Sequence, residues 1–533
     1  MRAALNDPEV VYRRRWLTLT VLCISLMVIV LDNTILNVAL PTLAKPHLLG
    51  GLQASASQLQ WVVDAYTIVF AGLLLTAGSL GDKFGRYRGL VLGLSVFGIG
   101  SLASSQATSA NMLILTRALM GVGGAFIMPA TLSILTNVFT DPGERVKAIG
   151  LWAGVAGLGA LGPITGGFLL GHFWWGSVFL VNVPIVAAGL VAGYFLIPDS
   201  RDPSSPRLDP LGALLSIAGL GTLLWGIIDA PTRGWGAPPI LAAFAVGAAL
   251  LTGFVLWERH TTSPMLNIHF FRDPRFSAAS MAITLTFFAL FGTIFLLTQF
   301  LQVVLGFSTI KAGAVLLPQA AVMMIFAPLS SVWVQRLGNK MVVAGGLFIV
   351  AGALLSMGVL NEHTGLVAVM IVGAVLGLGM SNVMAPATDS IMGSLPRSKA
   401  GVGSAVNDTT RQTGGALGVA VLGSLLASRY TSRVTHLLGR ASPYLPHVRN
   451  NVAGARAFAL TSLGGQPQAQ AKVLHAAYVS FVSGFHIAVV FSGVLLLVTA
   501  VGVLRWLPDR GQDDADVQAR GNAPASVLVG EAG

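Results

Sequence analysis

The chain has 533 residues with a mean hydropathy of +0.76, 54% hydrophobic residues and only 10% charged ones, against about 25% charged residues in soluble domains. That balance excludes an ordinary soluble globular protein and points to a lipid bilayer. The single cysteine, Cys23, excludes an intrachain disulfide, no Cys/His cluster offers a metal cage, and the net charge of +11 is scattered between apolar runs instead of forming a nucleic-acid patch.

A helix that crosses a bilayer needs about 20 mostly apolar residues. Fourteen such runs occur, near 16–40, 59–79, 88–106, 112–136, 146–170, 177–197, 209–229, 238–257, 277–303, 312–334, 340–360, 366–390, 401–427 and 479–504. The first is too long for a cleavable signal peptide, holds Asp32 and lacks a small-residue cleavage site. Glycines are abundant, 63 in all, and fall inside the apolar runs without a G-X-Y period, where small residues let membrane helices approach closely. Alternate loops sharing a side with Arg13, Arg14 and Arg15 carry most of the lysines and arginines, whereas the short opposite loops hold only Lys45, Arg233 and Lys311. The positive-inside rule then places both termini in the cytoplasm of a multi-pass cell-membrane protein.

The fourth run, Gly121-Val-Gly123 to Pro129-Ala-Thr-Leu-Ser-Ile134, weakly matches the twelfth, Gly377-Leu-Gly379 to Pro386-Ala-Thr-Asp-Ser-Ile391, which carries one extra residue before its proline. If run 4 corresponds to run 12, runs 1–6 match 9–14 and runs 7–8 are an insert. The expected fold is an all-α polytopic membrane protein of two pseudo-symmetric six-helix bundles plus two inserted helices. Its parts are a cytoplasmic segment 1–15, a bundle 16–200, the insert 201–260, a second bundle 261–507 with a long extracytoplasmic loop 428–478, and a disordered cytoplasmic tail 508–533. That loop retains a helix-compatible stretch near 468–478 and is placed to cap the outer mouth.

Ionisable groups at bilayer depth cost at least about 2.5–3.5 kcal/mol each on insertion scales, so they face a cavity or a partner. The candidates for proton coupling or a substrate cavity are Asp32, Asn37, Asp64, Arg117, Asp389, Asp408 and Arg411. Asp32, Asn33 and Asn37 fall within a sector of about 140° on one helix, a polar face expected to line a cavity. The structural alternative is a buried pair that only fixes helix register. Asp408 and Arg411, three apart on one helix, are placed to satisfy each other. A carboxyl group moved between wet and dry surroundings, or towards and away from a guanidinium, gains and loses its proton, which is the basis of a switch. Trp61 and Tyr66, with Phe287, Phe288, Phe291 and Phe295, are candidate cavity aromatics for lipophilic cations, with packing against lipid or neighbouring helices as the alternative.

Between runs 2 and 3 stands Gly78-Ser-Leu-Gly-Asp82-Lys-Phe-Gly85-Arg86-Tyr-Arg88. This stretch resembles the loop signature of the major facilitator superfamily. Leu31-Asp32-Asn-Thr-Ile-Leu-Asn37-Val-Ala-Leu-Pro41, Gln60-Trp61-Val-Val-Asp64-Ala-Tyr66, Arg117-Ala-Leu-Met-Gly121-Val-Gly123, Leu301-Gln302-Val-Val-Leu-Gly306-Phe-Ser308 and Arg411-Gln412-Thr-Gly414-Gly415 are similar to its drug:proton antiporter branch with fourteen helices. The resemblance implies that Arg117 joins proton coupling with Asp32 foremost, and that Gly78, Asp82, Gly85 and Arg86 form a cytoplasmic gate between the halves. Run 5, with Gly154, Gly157, Gly159, Gly162-Pro163 and Gly166-Gly167, looks like the antiporter motif of this superfamily, although Leu158 stands where a leading glycine is usual. The resemblance implies that this helix seals the halves against proton leak.

No G-x-x-x-x-G-K-[ST] occurs, so a proton gradient, with no ATP and no cofactor, is the expected energy source. The expected function is proton-coupled antiport, by alternating access, that exports hydrophobic cationic or zwitterionic drugs or small metabolites, from a monomer that is not an enzyme. The alternatives are a proton-coupled uptake carrier of a small solute and, less favoured, a non-transporting receptor or channel. Substrate identity is not legible.

Overall fold

The computed structural model describes residues 7–508 apart from 142–143, 145–147, 149–150, 153–154, 156–158, 160, 202–208, 263, 265, 267 and 395–399; the side chains of Leu75, Ser79, Asp82, Pro328, Ser331 and residues 400–405 also lie outside the description. The expected tail 508–533 and Gly154, Gly157 and Leu158 of run 5 therefore fall almost wholly outside the described residues.

The first half supplies α1 (Pro8–Leu43), α2 (Ala56–Phe84), α3 (Arg86–Ser105), α4 (Ala110–Val138), α5 (Leu161–His172) and α6 (Ser177–Leu180 continuing as Asn182–Leu196). The insert is α7 (Pro210–Arg233) and α8 (Pro238–His260). The second half supplies α9 (Pro274–Gln299, followed by a π-helical turn Phe300–Val304), α10 (Thr309–Ala314 continuing as Leu317–Leu337), α11 (Asn339–Met357), α12 (Leu366–Gly393), α13 (Ala400–Leu438) and α14 (Pro467–Trp506). Among the described residues, eleven helices are long and apolar enough to cross a membrane; α2, α5 and α13 are not among them, and α5 has only 12 described residues.

Local chemistry sets many of the ends. Asp7, Asp209 and Asp273 cap α1, α7 and α9, each with proline in the first turn, and Ser55 forms a reciprocal capping box with Gln58 at α2. Two helices run beyond their apolar stretches. Polar residues such as Arg429, Thr431 and Arg433 carry α13 on to Leu438, where Gly439 at φ 86° ends it, and α14 already starts at Pro467. The connection between them is thus shorter than the 428–478 expected. The stretch 468–478 belongs to α14, and a separate short helix, Val452–Ser462, lies in the connection.

The duplication has a physical counterpart in the glycines. A Cβ on Gly123 of α4 would lie 2.6 Å from the nitrogen of Phe97 and 2.8 Å from the carbonyl oxygen of Gly93 on α3. On Gly379 of α12 it would lie 2.8 Å from the nitrogen of Val350 and the carbonyl oxygen of Gly346 on α11. Gly121 meets the carbonyl of Tyr66 on α2, and Gly377 that of Gln319 on α10. Real Cβ atoms do not approach so closely, so in each half only glycine permits this backbone contact.

The start of α1 at Pro8 and the end of α14 at Trp506 share one face of the bundle, and the α13–α14 connection sits on the other, here called the loop face. The halves are joined towards the loop face. There Gln302 Nε2 donates to the carbonyl of Val38 at 2.9 Å, Thr309 Oγ1 to that of Gly167 at 2.9 Å, Gln60 Nε2 to that of Ala420 at 3.1 Å, and Asn451 Nδ2 to that of Ala54 at 3.0 Å. The insert docks on the seam: Leu224 and Ile228 of α7 pack with Ile68 of α2 and with Ala416 and Ala420 of α13, and Ser424 Oγ donates to the carbonyl of Ile227 at 2.8 Å.

Candidate functional site

Asp32 and Arg117 are brought together deep in the first half. Their side chains are 0% and 1% exposed, and the Arg117 Nη1 donates to Asp32 Oδ2. Arg117 Nε donates to the carbonyl of Val62 at 3.1 Å, and the guanidinium lies 4.4 Å from the centre of the Tyr66 ring, a cation–π contact in a dry site. The other oxygen of Asp32, Oδ1, accepts from Asn182 Nδ2 at 3.1 Å; the same nitrogen also reaches Ser101 Oγ at 3.1 Å, and Ser101 donates to the carbonyl of Phe179 at 2.8 Å. Five of the first half's six helices, α1, α2, α3, α4 and α6, therefore meet at one ion pair.

The run Arg117-x-x-x-Gly121-x-Gly123-Gly124 explains the placement. Gly121 lets α4 touch the α2 backbone at Tyr66, and a Cβ at Gly124 would sit 2.9 Å from the Tyr66 hydroxyl. The absence of side chains one turn beyond Arg117 seats the Tyr66 ring under the guanidinium. The phenol of Tyr66 stacks in turn on Phe70, centroids 5.6 Å apart. Asn182 and Ser101 were not singled out by sequence reasoning. The signal for Asn182 was an amide followed closely by Pro184 inside an apolar run; Ser101, a lone hydroxyl, had none.

Asp64 is fully buried on α2, and neither carboxylate oxygen has a hydrogen-bond partner among the described residues. Its neighbours one turn away, Gln60, Trp61 and Ile68, contact α13 and α7, so Asp64 belongs to the α2 face on the seam between the first half, the insert and α13. Trp61 packs into that seam against the cluster that holds Leu224 and Ile228. Asn37 is half-buried and donates to the carbonyl of Asn33 at 3.0 Å, within its own helix.

In the second half Asp408 and Arg411 stand 3.9 Å apart on α13. Arg411 Nη2 also donates to Thr388 Oγ1 on α12 at 3.1 Å, and the guanidinium lies 5.4 Å from the Phe287 ring centre on α9. Arg411 Nε is buried without an acceptor among the described residues. Phe287, Phe288 and Phe295 are buried in the core, Phe287 meeting Phe291 edge-on at 5.5 Å. Asp389 is exposed near the end of α12 and does not join the buried ion pair of the first half.

Gly85, at φ 119°, turns the chain sharply between α2 and α3; a Cβ there would also meet Asp199 Oδ1 at 2.9 Å. Arg86 donates through its amide to the carbonyl of Ser200 at 3.0 Å and through Nη1 to that of Ser133 at 3.3 Å, and Gly78 faces Pro129 of α4. These contacts lie within the first half. The side chain of Asp82 lies outside the described residues. On α5, a Cβ at Gly162 would fall on Thr34 of α1, one at Gly167 would lie 2.7 Å from Ile310 Cα of α10, and one at Gly313 of α10 would fall on the Pro163 carbonyl. Gly159 faces Val30 and Gly166 faces Ile35, both of α1. The glycine-proline helix is thus wedged between α1 and α10, at the joint of the two halves.

The Major Facilitator Superfamily family model matches residues 22–419. The multidrug efflux pump LfrA of Mycolicibacterium smegmatis is 38% identical, covering 92% of this chain and 96% of its own length. The tetracenomycin C resistance and export protein of Streptomyces glaucescens is 34% identical over 92% and 91%, and the methyl viologen resistance protein SmvA of Salmonella typhimurium is 33% identical over 92% and 98%. Among solved structures, a bacterial homolog to the human lysosomal transporter Spinster, in an inward-facing and occupied conformation, superposes with a TM-score of 0.64 at 17% identity, covering 92% of this chain and 97% of its own, a likeness of fold alone. Matched over most of its length by the family model and over nearly all of it by these relatives, the chain belongs to the Major Facilitator Superfamily.

Proposed function

We propose that the protein is a proton-coupled antiporter that exports hydrophobic, cationic or zwitterionic compounds across the cell membrane, working as a monomer driven by the proton gradient with no bound cofactor. The observation that carries this reading is the Asp32–Arg117 ion pair, buried at the crossing of five helices. Multidrug efflux by LfrA, tetracenomycin C export by the Streptomyces glaucescens protein and methyl viologen resistance by SmvA support drug export. The distribution of lysines and arginines supports cytoplasmic termini, which makes the loop face extracytoplasmic and the present arrangement, joined on that face, closed to the outside.

In this reading Asp32 is ionised and held by Arg117 while the outer side is shut. Opening that side lets water reach the pair, and a proton from outside binds at Asp32 Oδ2. Neutral Asp32 no longer compensates Arg117, whose charge must then be met by Val62 carbonyl, Tyr66 and water. That cost is heaviest in a dry site, so the protonated state disfavours the shut arrangement and favours one in which water reaches the pair; once the pair opens to the cytoplasmic side the proton leaves there, and the carboxylate and its pair re-form. The ligand and the proton thereby select opposite conformations, which is what antiport requires. Asp64, buried without a hydrogen-bond partner among the described residues, is a second group that can take up a proton or accompany a cationic cargo.

The test is accumulation of a lipophilic cation such as methyl viologen in inverted vesicles, with proton movement read alongside. Accumulation collapsed by an uncoupler supports the reading; flux that persists unchanged without a gradient refutes it.

A further inference from the structure

A cavity of ≈ 460 Å³ opens on the loop face between the end of α1, the α9–α10 turn and the short helix Val452–Ser462. Its polar lining is Lys45, Gln302, Ser308, Thr309 and Arg456, over a floor that includes Phe307, and it contains no aspartate or glutamate. Arg456 is anchored: Nη1 donates to the carbonyls of Gln302 at 2.8 Å and Val303 at 3.1 Å, both in the π-helical turn. Its Nε and Nη2 have no acceptor among the described residues, and the Lys45 ammonium has neither a hydrogen bond nor an ion pair there. Burial, reinforced by the neighbouring Arg456, pushes the Lys45 ammonium below its usual range.

Two cations facing one hollow without a counter-ion repel each other and expose donors that match phosphate oxygens. The stretch 428–478 adds Arg429, Arg433, Arg440, Arg449 and Lys472 and has no acidic residue at all, so nothing on that connection neutralises the site from within. The rim is apolar and exposed: Leu49 is 45% exposed and Leu460 53%. Charge inside and leucines at the edge suit a ligand with an anionic head and a hydrocarbon body.

We propose that this cavity binds the phosphate of an amphiphile, an anionic lipid headgroup seated between Lys45 and Arg456. Such a headgroup touches α1 of one half and the α9–α10 turn of the other, beside the Gln302-to-Val38 bond, and so holds the halves together on the loop face. The binding is independent of what the protein transports, and its test requires no transport.

The full-length protein in nanodiscs of phosphatidylcholine, with and without phosphatidylglycerol, is followed by thermal unfolding and by native mass spectrometry for retained lipid. Phosphatidylglycerol is expected to raise the unfolding temperature and to remain bound. Lys45→Gln is expected to lose both effects, Lys45→Arg to keep them, and Lys472→Gln, a cation of the same connection outside the cavity lining, to behave as wild type. Inorganic phosphate added to phosphatidylcholine nanodiscs separates the sources: equal protection by free phosphate overturns the lipid assignment in favour of a soluble anion. Lipid retention and stabilisation unchanged in Lys45→Gln, or lost equally in Lys472→Gln, overturns the site itself.

Discussion

A double-mutant cycle on Asp32 and Arg117 tests whether their pairing is a real energetic unit. With the two side chains 0% and 1% exposed, Asp32→Asn leaves a guanidinium in dry surroundings with no carboxylate, met by the Val62 carbonyl, the Tyr66 face and the weak Met120 thioether. Arg117→Gln likewise strands a carboxylate that keeps only the Asn182 amide. Removing one partner of a buried pair costs about 3–5 kcal/mol. Removing both discards the two charges together and leaves neutral groups short of a hydrogen bond, a cost of about 1–3 kcal/mol. The double variant is therefore expected to be more stable than either single one, and the coupling to be strongly non-additive. The assay is equilibrium unfolding of the detergent-solubilised protein in a sodium dodecyl sulfate titration, applied to all four proteins. A double variant as unstable as the sum of the two single ones would refute the pairing.

Asp32→Asn should also abolish proton-driven export of a lipophilic cation while the protein still inserts in the membrane; wild-type export rates would remove Asp32 from the coupling. Arg117→Ala should uncouple transport from the pH gradient, read as vesicle uptake at imposed gradients, and an unchanged gradient dependence counts against its role. Gly162→Val pushes a branched side chain into Thr34 and Ile35 of α1, an overpacking cost of about 1–3 kcal/mol, and should slow transport at equal expression; a normal rate argues that α5 and α1 need not stay in contact. Because burial and Arg456 depress the Lys45 amine, its folded form sheds its proton at a lower pH than the unfolded chain does. Stability relative to Lys45→Gln should then rise with pH through the window below the ordinary lysine value, and Lys45 should be acylated at lower pH than exposed lysines. Titration together with those lysines would contradict it.

Much of the fold is written in composition and spacing. Twenty-residue apolar runs read as spans because the bilayer imposes their length, and the match of Gly121, Gly123 and Pro129 to Gly377, Gly379 and Pro386 announces two related halves because both copies meet the same backbone neighbours. The ends of α13 and α14 were less legible, since a helix does not stop where its hydrophobicity does, and Arg429 and Thr431 extend it as readily as leucine. The residue types of the buried pair are visible in the sequence, but the partnership between Asp32 and Arg117, 85 positions apart, is a product of packing. So is the choice of Asn182 as the amide that completes Asp32: asparagines within spans are not distinguishable until the helices are assembled. Trp61 turned to the insert for the same reason, because only the docking of α7 decides which side of α2 is covered.

The paired glycine contacts have a mechanical consequence. Where α3 lies on α4 and α11 on α12 with backbone against backbone, no side chain can rearrange to let one helix slide past its mate. These two couples behave as welded beams. With those couples rigid, the joint where α5 and α10 clasp through Pro163 and Gly313 is a place where the halves can hinge, and a small roll at such a knuckle would be levered into a wide opening at the far ends of the bundles.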